Sequence, residues 1–329
     1  MRIPRSVFVL LLLGSLGALA ACDRDVTPSL YPDQIAFTQP NLYPEGSQYD
    51  GQNSRFLVSS QTAGSIGQVD LDGNYKAFTD DASLVSTIGL NLDASRNRLL
   101  VAVSDPGYNQ ARTSAATKGK LAALASFDRT SGARLSYVDL GSLRPTYANH
   151  FANDIAVDNL GNVYVTDSYA PLIYKVDTQG TASVFLEDAA LAAPAGKFGL
   201  NGIVYHSDGY LLVAKSDEGA LLKVPLNNPR GFSKVAASGL DLSGDDGLLL
   251  ADNTTLLVVC NAQGQVYRLR STDSFGGVSR TASFATGAVY PTTLSTVGSS
   301  NYVLYSHLDE LQRMQTPPES QFTLARVQF

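Results

Sequence analysis

Glu45, Asn153, Asn201 and Asp246 are the residues of this sequence best suited to hold a metal ion. Two carboxylates and two amides bring two negative charges and hard oxygen donors, and they leave room for water, a combination that suits Ca²⁺. Mg²⁺ and Mn²⁺ stay open on ligand chemistry. Zn²⁺ is a more distant alternative, because it ordinarily recruits His or Cys. Asn-Gly and Asp-Gly are also common turn pairs. What sets these four residues apart is that they fall at one phase of an internal repeat. Asp72-Gly73 and Asp208-Gly209 fall at other phases and read as turns.

Six segments carry the repeat: YPEGSQYDGQNSRFLVSS from Tyr43, IGLNLDASRNRLLVAVS from Ile88, ANDIAVDNLGNVYVTDS from Ala152, LNGIVYHSDGYLLVAKS from Leu200, DDGLLLADNTTLLVVCN from Asp245 and PTTLSTVGSSNYVLYSH from Pro291. Each reads as a hairpin. The matching positions Glu45, Gly89, Asn153, Asn201, Asp246 and Thr292 are 44, 64, 48, 45 and 46 residues apart, near the roughly 40 to 50 of a propeller blade. The 64 marks an insertion. A third strand follows most hairpins, as in LIYKVDTQG and LLKVPLNN, and then a weaker fourth, which describes a four-stranded antiparallel blade. Outside the N-terminal segment only a patch from Glu187 to Ala193 hints at a helical period. A two-sheet sandwich would not explain a repeat of this length and order. The predicted fold is therefore all-β, a six-bladed β-propeller over residues 35–329. Its sixth repeat leaves three strands, the last being FTLARVQF, so Gln34 to Gln39 are predicted to supply the fourth. Pairing the N- and C-terminal strands closes the ring and removes an exposed edge. In such a ring the first strand of each blade lines the central channel, and the six matching residues face one another.

Around these residues the sequence resembles the senescence marker protein, gluconolactonase and regucalcin family of six-bladed propellers, with paraoxonase and diisopropyl fluorophosphatase as more distant relatives. The resemblance spans all six segments and rests on Pro44-Glu45-Gly46, Ala152-Asn153-Asp154, Leu200-Asn201-Gly202 and Asp245-Asp246-Gly247. It implies a divalent cation, often calcium, held by Glu45, Asn153, Asn201 and Asp246, and hydrolysis of a lactone or related ester with Asp246 as the catalytic carboxylate. The chemistry is coherent: a cation polarises a carbonyl oxygen while the carboxylate beside it takes a proton from water or attacks directly. One departure bears on the substrate. Sugar-lactone hydrolases of the family tend to have arginine two residues before the first asparagine, where this chain has Phe151. An apolar ring cannot meet hydroxyls as a guanidinium does, which puts a less polar substrate on an equal footing with gluconolactone.

His150, three residues before Asn153, is a second catalytic candidate, as acid, base or substrate contact. His307 falls at the same face, and His206 falls toward the opposite one and is given no role. The insertion DPGYNQARTSAATKGK after Ser104 and the stretch HLDELQRMQTPPESQ from His307 are both expected to overhang the metal. Propellers host many functions, so the competing reading is a non-catalytic envelope protein with a structural metal.

The N-terminus reads as a secretory signal over residues 1–21, with Arg2 and Arg5 ahead of the apolar run from Val7 to Leu13. That run is too short to span a bilayer. Leu19, Ala20, Ala21 and Cys22 resemble the lipobox of bacterial lipoproteins, in which the cysteine is acylated, and residues 22–34 then form a tether. The expected location is extracytoplasmic, lipid-anchored to a bacterial membrane on its periplasmic side or at the cell surface, with the chain acting as a monomer. Cys260, the other cysteine, sits in an apolar run and reads as a buried small hydrophobe. Loss of Arg2 and Arg5 takes 24 basic residues against 30 acidic ones to 22, a net charge of −8. An acidic chain without basic clusters excludes nucleic acid as a natural partner. Cys22→Ser is expected to abolish acylation and move the protein from the membrane to the soluble fraction; unchanged fractionation would contradict the lipobox.

Overall fold

The computed structural model describes residue 1 and residues 31–329. Cys22, the rest of the signal and most of the tether lie outside the described residues.

Strands such as Arg98–Ser104 and Tyr210–Lys215 are apolar at nearly every position, which calls for cover on both faces. Each is the second strand of a four-stranded antiparallel sheet. Its alternate side chains pack on two different neighbours. Leu99, Val101 and Val103 meet Leu57 and Ile66 of the preceding sheet, and Leu100 and Ala102 meet Ile155 and Val165 of the following one. The described residues form 24 strands in six such sheets. Six apolar clusters make up the core, one at each sheet-to-sheet interface. Every first strand touches the first strands of both neighbours, and the sixth touches the first. The chain is the expected six-bladed β-propeller, and Cys260 is buried within it.

The ring closes as predicted. Gln34–Thr38 pairs antiparallel with Gln321–Arg326, from Gln34 opposite Ala325 to Thr38 opposite Gln321. It forms the outer strand of the sixth blade, which begins with Pro291–Val297. Ile35 and Phe37 turn inward, and Phe322 lies with its ring centroid 5.9 Å from that of Phe37 and 5.8 Å from that of Tyr43. The residues just ahead are also tied to this blade: Tyr302 donates to the Pro32 carbonyl, and Asp33 pairs with Arg326. The patch from Glu187 to Ala193 contains one 3₁₀ turn, Ala189–Leu191, capped by Asp188. An unforeseen short helix, Leu308–Gln312, stands in the stretch after His307.

Five first strands share one irregularity. Two successive residues leave the ladder between Thr87 and Leu90, Ala152 and Ile155, Leu200 and Ile203, Asp245 and Leu248, and Pro291 and Leu294. These bulges re-aim side chains toward the axis. They also correct one reading: the counterpart of Asn153 in the second blade is Ile88, and Gly89 belongs with Gly202 and Gly247. A Cβ on Gly89 would lie 2.3 Å from the Asn153 carbonyl oxygen, one on Gly202 2.2 Å from that of Asp246, and one on Gly247 2.4 Å from that of Thr292. Unpaired bulge residues carry no alternation, so strand periodicity alone cannot place them.

Phe322→Ala is expected to lower stability by about 3–5 kcal/mol, measured by chemical denaturation, because the ring seals the closing blade. A loss no larger than that of an exposed aromatic would mean that closure does not rest on this contact.

Candidate metal centre

The bulges bring Ile88, Asn153, Asn201 and Asp246 to the lining of one cavity of about 430 Å³, and Glu45 joins them from the segment just ahead of the first blade's first strand, Ser47–Asp50. All four candidate ligands are buried. The two amides are oriented by their own blades: Asn153 Nδ2 donates to Ser168 Oγ at 2.8 Å, and Asn201 Nδ2 donates to Ser216 Oγ at 3.1 Å. Those serines directly follow the second strands and in turn donate to the next blade, Ser168 to the Leu200 carbonyl and Ser216 to that of Asp245. With their NH₂ groups engaged, Asn153 Oδ1 and Asn201 Oδ1 are left buried without a hydrogen bond among the described residues. A buried acceptor without a donor is costly. An oxygen-seeking cation would relieve both, and the donor set fits one.

The carboxylates carry the complementary strain. Burial pushes Glu45 well above the usual carboxylate range, and the charges of Asp246 and Asp154 push it further. Burial raises Asp246 to about 7; a hydrogen bond from Asn261 opposes that rise, the Asp154 charge adds to it, and Asn201 moderates it. Asn261 Nδ2 donates to Asp246 Oδ2 at 3.0 Å and orients the carboxylate. Asp154 is a third acid, raised by burial to about 6. It occupies the place of Gly202 and Gly247 in their blades, and its carboxylate accepts the N–H groups of Ile155 and Ile203 at 2.8 and 3.2 Å. Asp245, fully buried behind Asp246, has both oxygens unpartnered among the described residues and is likewise pushed up by burial.

Other expectations resolve less evenly. Thr292 is buried and donates to the Glu45 carbonyl at 2.7 Å, so it locks the sixth blade to the first and does not line the cavity. His150 is not brought to the cavity either. Its Nδ1 lies 2.7 Å from Asp167 Oδ2 and its Nε2 3.2 Å from the Arg144 carbonyl. Only Phe151, the next residue, faces the cavity. The two loops do overhang it, through Pro106 and Tyr108 of the insertion and through Leu308 and Gln312 of the last blade. The site also has members that sequence reasoning passed over: Ser168, Ser216, Asn261 and Asp154. Their signal was present, since the second-strand segments end in Ser168, Ser216 and Asn261, and an aspartate stands where other repeats have glycine.

A separate group, His307, Glu310 and Glu319, gathers its ligand-type atoms within 4.8 Å of one another. Its members already have partners: His307 Nδ1 lies 3.2 Å from Glu310 Oε1, and Glu319 accepts the N–H groups of Ser320 and Gln321.

No family model matches the sequence, and no curated protein matches it. Its fold places it among the six-bladed β-propellers, and solved structures agree. The major allergen Mala s 1 of Malassezia sympodialis superposes with a TM-score of 0.72 at 19% identity, over 90% of this chain and 96% of that one. Regucalcin from Agrobacterium tumefaciens, described as a calcium-binding protein, gives 0.61 at 16% identity over 90% and 95%. A luciferin-regenerating enzyme gives 0.61 at 13% over 90% and 97%. At these identities the likeness is one of fold.

The raised carboxylates set the pH dependence of the metal-free protein. Their folded pKa values lie above the unfolded ones, so the folded state binds more protons across the interval between them. That contribution to stability is complete below about pH 4 and is lost as pH rises through about 7 for Asp246. In chelator, the melting temperature is expected to fall between these limits; Asp246→Asn should flatten the slope, and Ca²⁺ should raise the melting temperature at pH 8. Coincident slopes for wild type and variant would remove the strain from Asp246.

Proposed function

We propose that this protein is a metal-dependent hydrolase of a lactone or related ester. The observation that carries the reading is the meeting of two buried carboxylates and two unpartnered amide oxygens in one small-molecule-sized cavity. Glu45, Asn153, Asn201 and Asp246 would hold the cation, and Ca²⁺ suits an all-oxygen set. The calcium-binding description of the regucalcin neighbour points the same way. Once bound, the cation would supply polarisation of the substrate's carbonyl oxygen.

The chain's own residues do the rest. Asp246, with one oxygen fixed by Asn261, takes the proton of the attacking water as its oxygen bonds to the carbonyl carbon. As the ester C–O bond breaks, Asp246 returns that proton to the departing oxygen. Alternatively the carboxylate attacks the carbonyl carbon, the ester C–O bond breaks to leave a mixed anhydride and an alkoxide, and water then cleaves the anhydride, regenerating Asp246 and supplying the proton that the departing oxygen takes up. The two overhanging loops cover part of the cavity in which the substrate would lie. The N-terminal sequence supports an extracytoplasmic protein anchored through lipid on Cys22.

Turnover of a panel of lactones and aryl esters is expected to require Ca²⁺ or Mn²⁺. Asp246→Asn should keep metal-induced thermal stabilisation, in weakened form, while kcat falls by about 10²- to 10⁴-fold. Full activity in that variant would take Asp246 out of the reaction. Absence of metal-dependent turnover across the panel would leave a binding protein with a structural metal.

A further inference from the structure

Above the oxygen-lined floor, one wall of the cavity is aromatic. Phe151, Tyr169 and Phe198 pack as a three-ring cluster, with centroid separations of 5.2, 5.2 and 5.3 Å. All three line the cavity, yet Tyr169 is 36% exposed and Phe198 37%. Large ring faces are thus left open inside a concave site. Tyr108 and Tyr290 also line the cavity, and Lys197, beside Phe198, is the one basic residue among the described lining residues.

The wall is held from behind. Asp167 Oδ1 accepts the backbone N–H groups of Phe151, Tyr169 and Ala170 at 2.9, 3.0 and 3.0 Å. Its other oxygen holds His150 Nδ1 at 2.7 Å and the Tyr174 hydroxyl at 2.8 Å. Gly199 donates to the Ser168 carbonyl at 2.9 Å and ties in the Phe198 segment. Rings fixed in this way present a ready surface at little further entropic cost, which is what stacking recognition requires.

We infer that the cavity recognises a planar aromatic ligand, an aryl ester or aryl-substituted lactone, whose ring lies against Tyr169 and Phe198 and whose anionic substituent reaches Lys197. The reaction part of this inference rests on the proposed hydrolase, and the recognition part does not. His150 becomes a positioning residue of the wall through Asp167.

Equilibrium dialysis with product-like acids, in the presence of Ca²⁺, tests recognition without turnover. 2-Naphthoate is expected to bind more tightly than cyclohexanecarboxylate. Phe198→Ala should weaken naphthoate binding by about three- to tenfold and leave cyclohexanecarboxylate nearly unchanged. Tyr169→Ser should act in the same direction, and both variants should keep the cooperative unfolding transition of the wild type. Naphthalene-2,6-dicarboxylate offers one carboxylate to the floor and one to Lys197; its advantage over 2-naphthoate should vanish in Lys197→Met. Equal binding of aromatic and alicyclic acids, or unchanged naphthoate affinity in both wall variants, would overturn the inference. Turnover of aliphatic lactones alongside that result would overturn this inference and leave the hydrolase standing; aromatic-selective binding without any turnover would do the reverse.

Discussion

The structure depends on crowding at the propeller axis. Six first strands must approach one another there closely enough for each blade to touch the next, and several meet the neighbouring carbonyl where no Cβ could fit, as at Gly202 and Gly247. A regular strand would alternate its side chains past this point. The two-residue bulge instead releases a pair of residues: one turns to the cavity, and the other, usually glycine, lets the next blade come close. Hydroxyl groups then latch blade to blade, Ser104 on the Ala152 carbonyl, Ser168 on that of Leu200 and Thr292 on that of Glu45. The geometry that closes the ring is the same geometry that aims the candidate ligands.

That arrangement places Glu45, Asp246 and Asp154 in one confined region, where desolvation and mutual repulsion both oppose ionisation. Around them lie amide and hydroxyl groups and no cation-bearing side chain except Lys197 at the lining. The remainder of the propeller supplies the stability that tolerates this, through six apolar interfaces between blades. Such a region of frustration inside an otherwise consistent fold is where function is to be sought. A bound divalent cation would turn repulsion into coordination.

Floor and wall are separately built. The floor comes from the bulges at the starts of first strands and from Glu45 just ahead of Ser47–Asp50, and the aromatic wall from residues 151, 169 and 198, held through the Asp167 carboxylate. His150 belongs to the second system. Burial alone would lower its pKa, but the hydrogen bond and charge of Asp167 outweigh this and raise it, and both ring nitrogens are engaged, Nδ1 with Asp167 and Nε2 with the Arg144 carbonyl. A histidine in that setting supports the wall from behind and does not reach the cavity.

By itself the sequence determined the fold class, the blade count, the pairing of Gln34–Thr38 with the last strand, and the four oxygen-bearing ring residues. Those features are written as repeat spacing and as the end-to-end logic of a closed sheet, which survive a linear reading. The alignment of the second blade did not, because a bulge breaks the two-residue period and leaves Ile88 and Gly89 indistinguishable by alternation. Nearness along the chain also misled at His150: successive backbone positions point to different sides, so Phe151 faces the cavity while His150 is sequestered by Asp167 and Arg144. Only the tertiary structure decided that Phe151, Tyr169 and Phe198 form one surface, that Ser168, Ser216 and Asn261 orient the ligands, and that Asp154 shares their space. These relations join residues from different strands and blades through contact and desolvation, and neither quantity exists until the ring has closed.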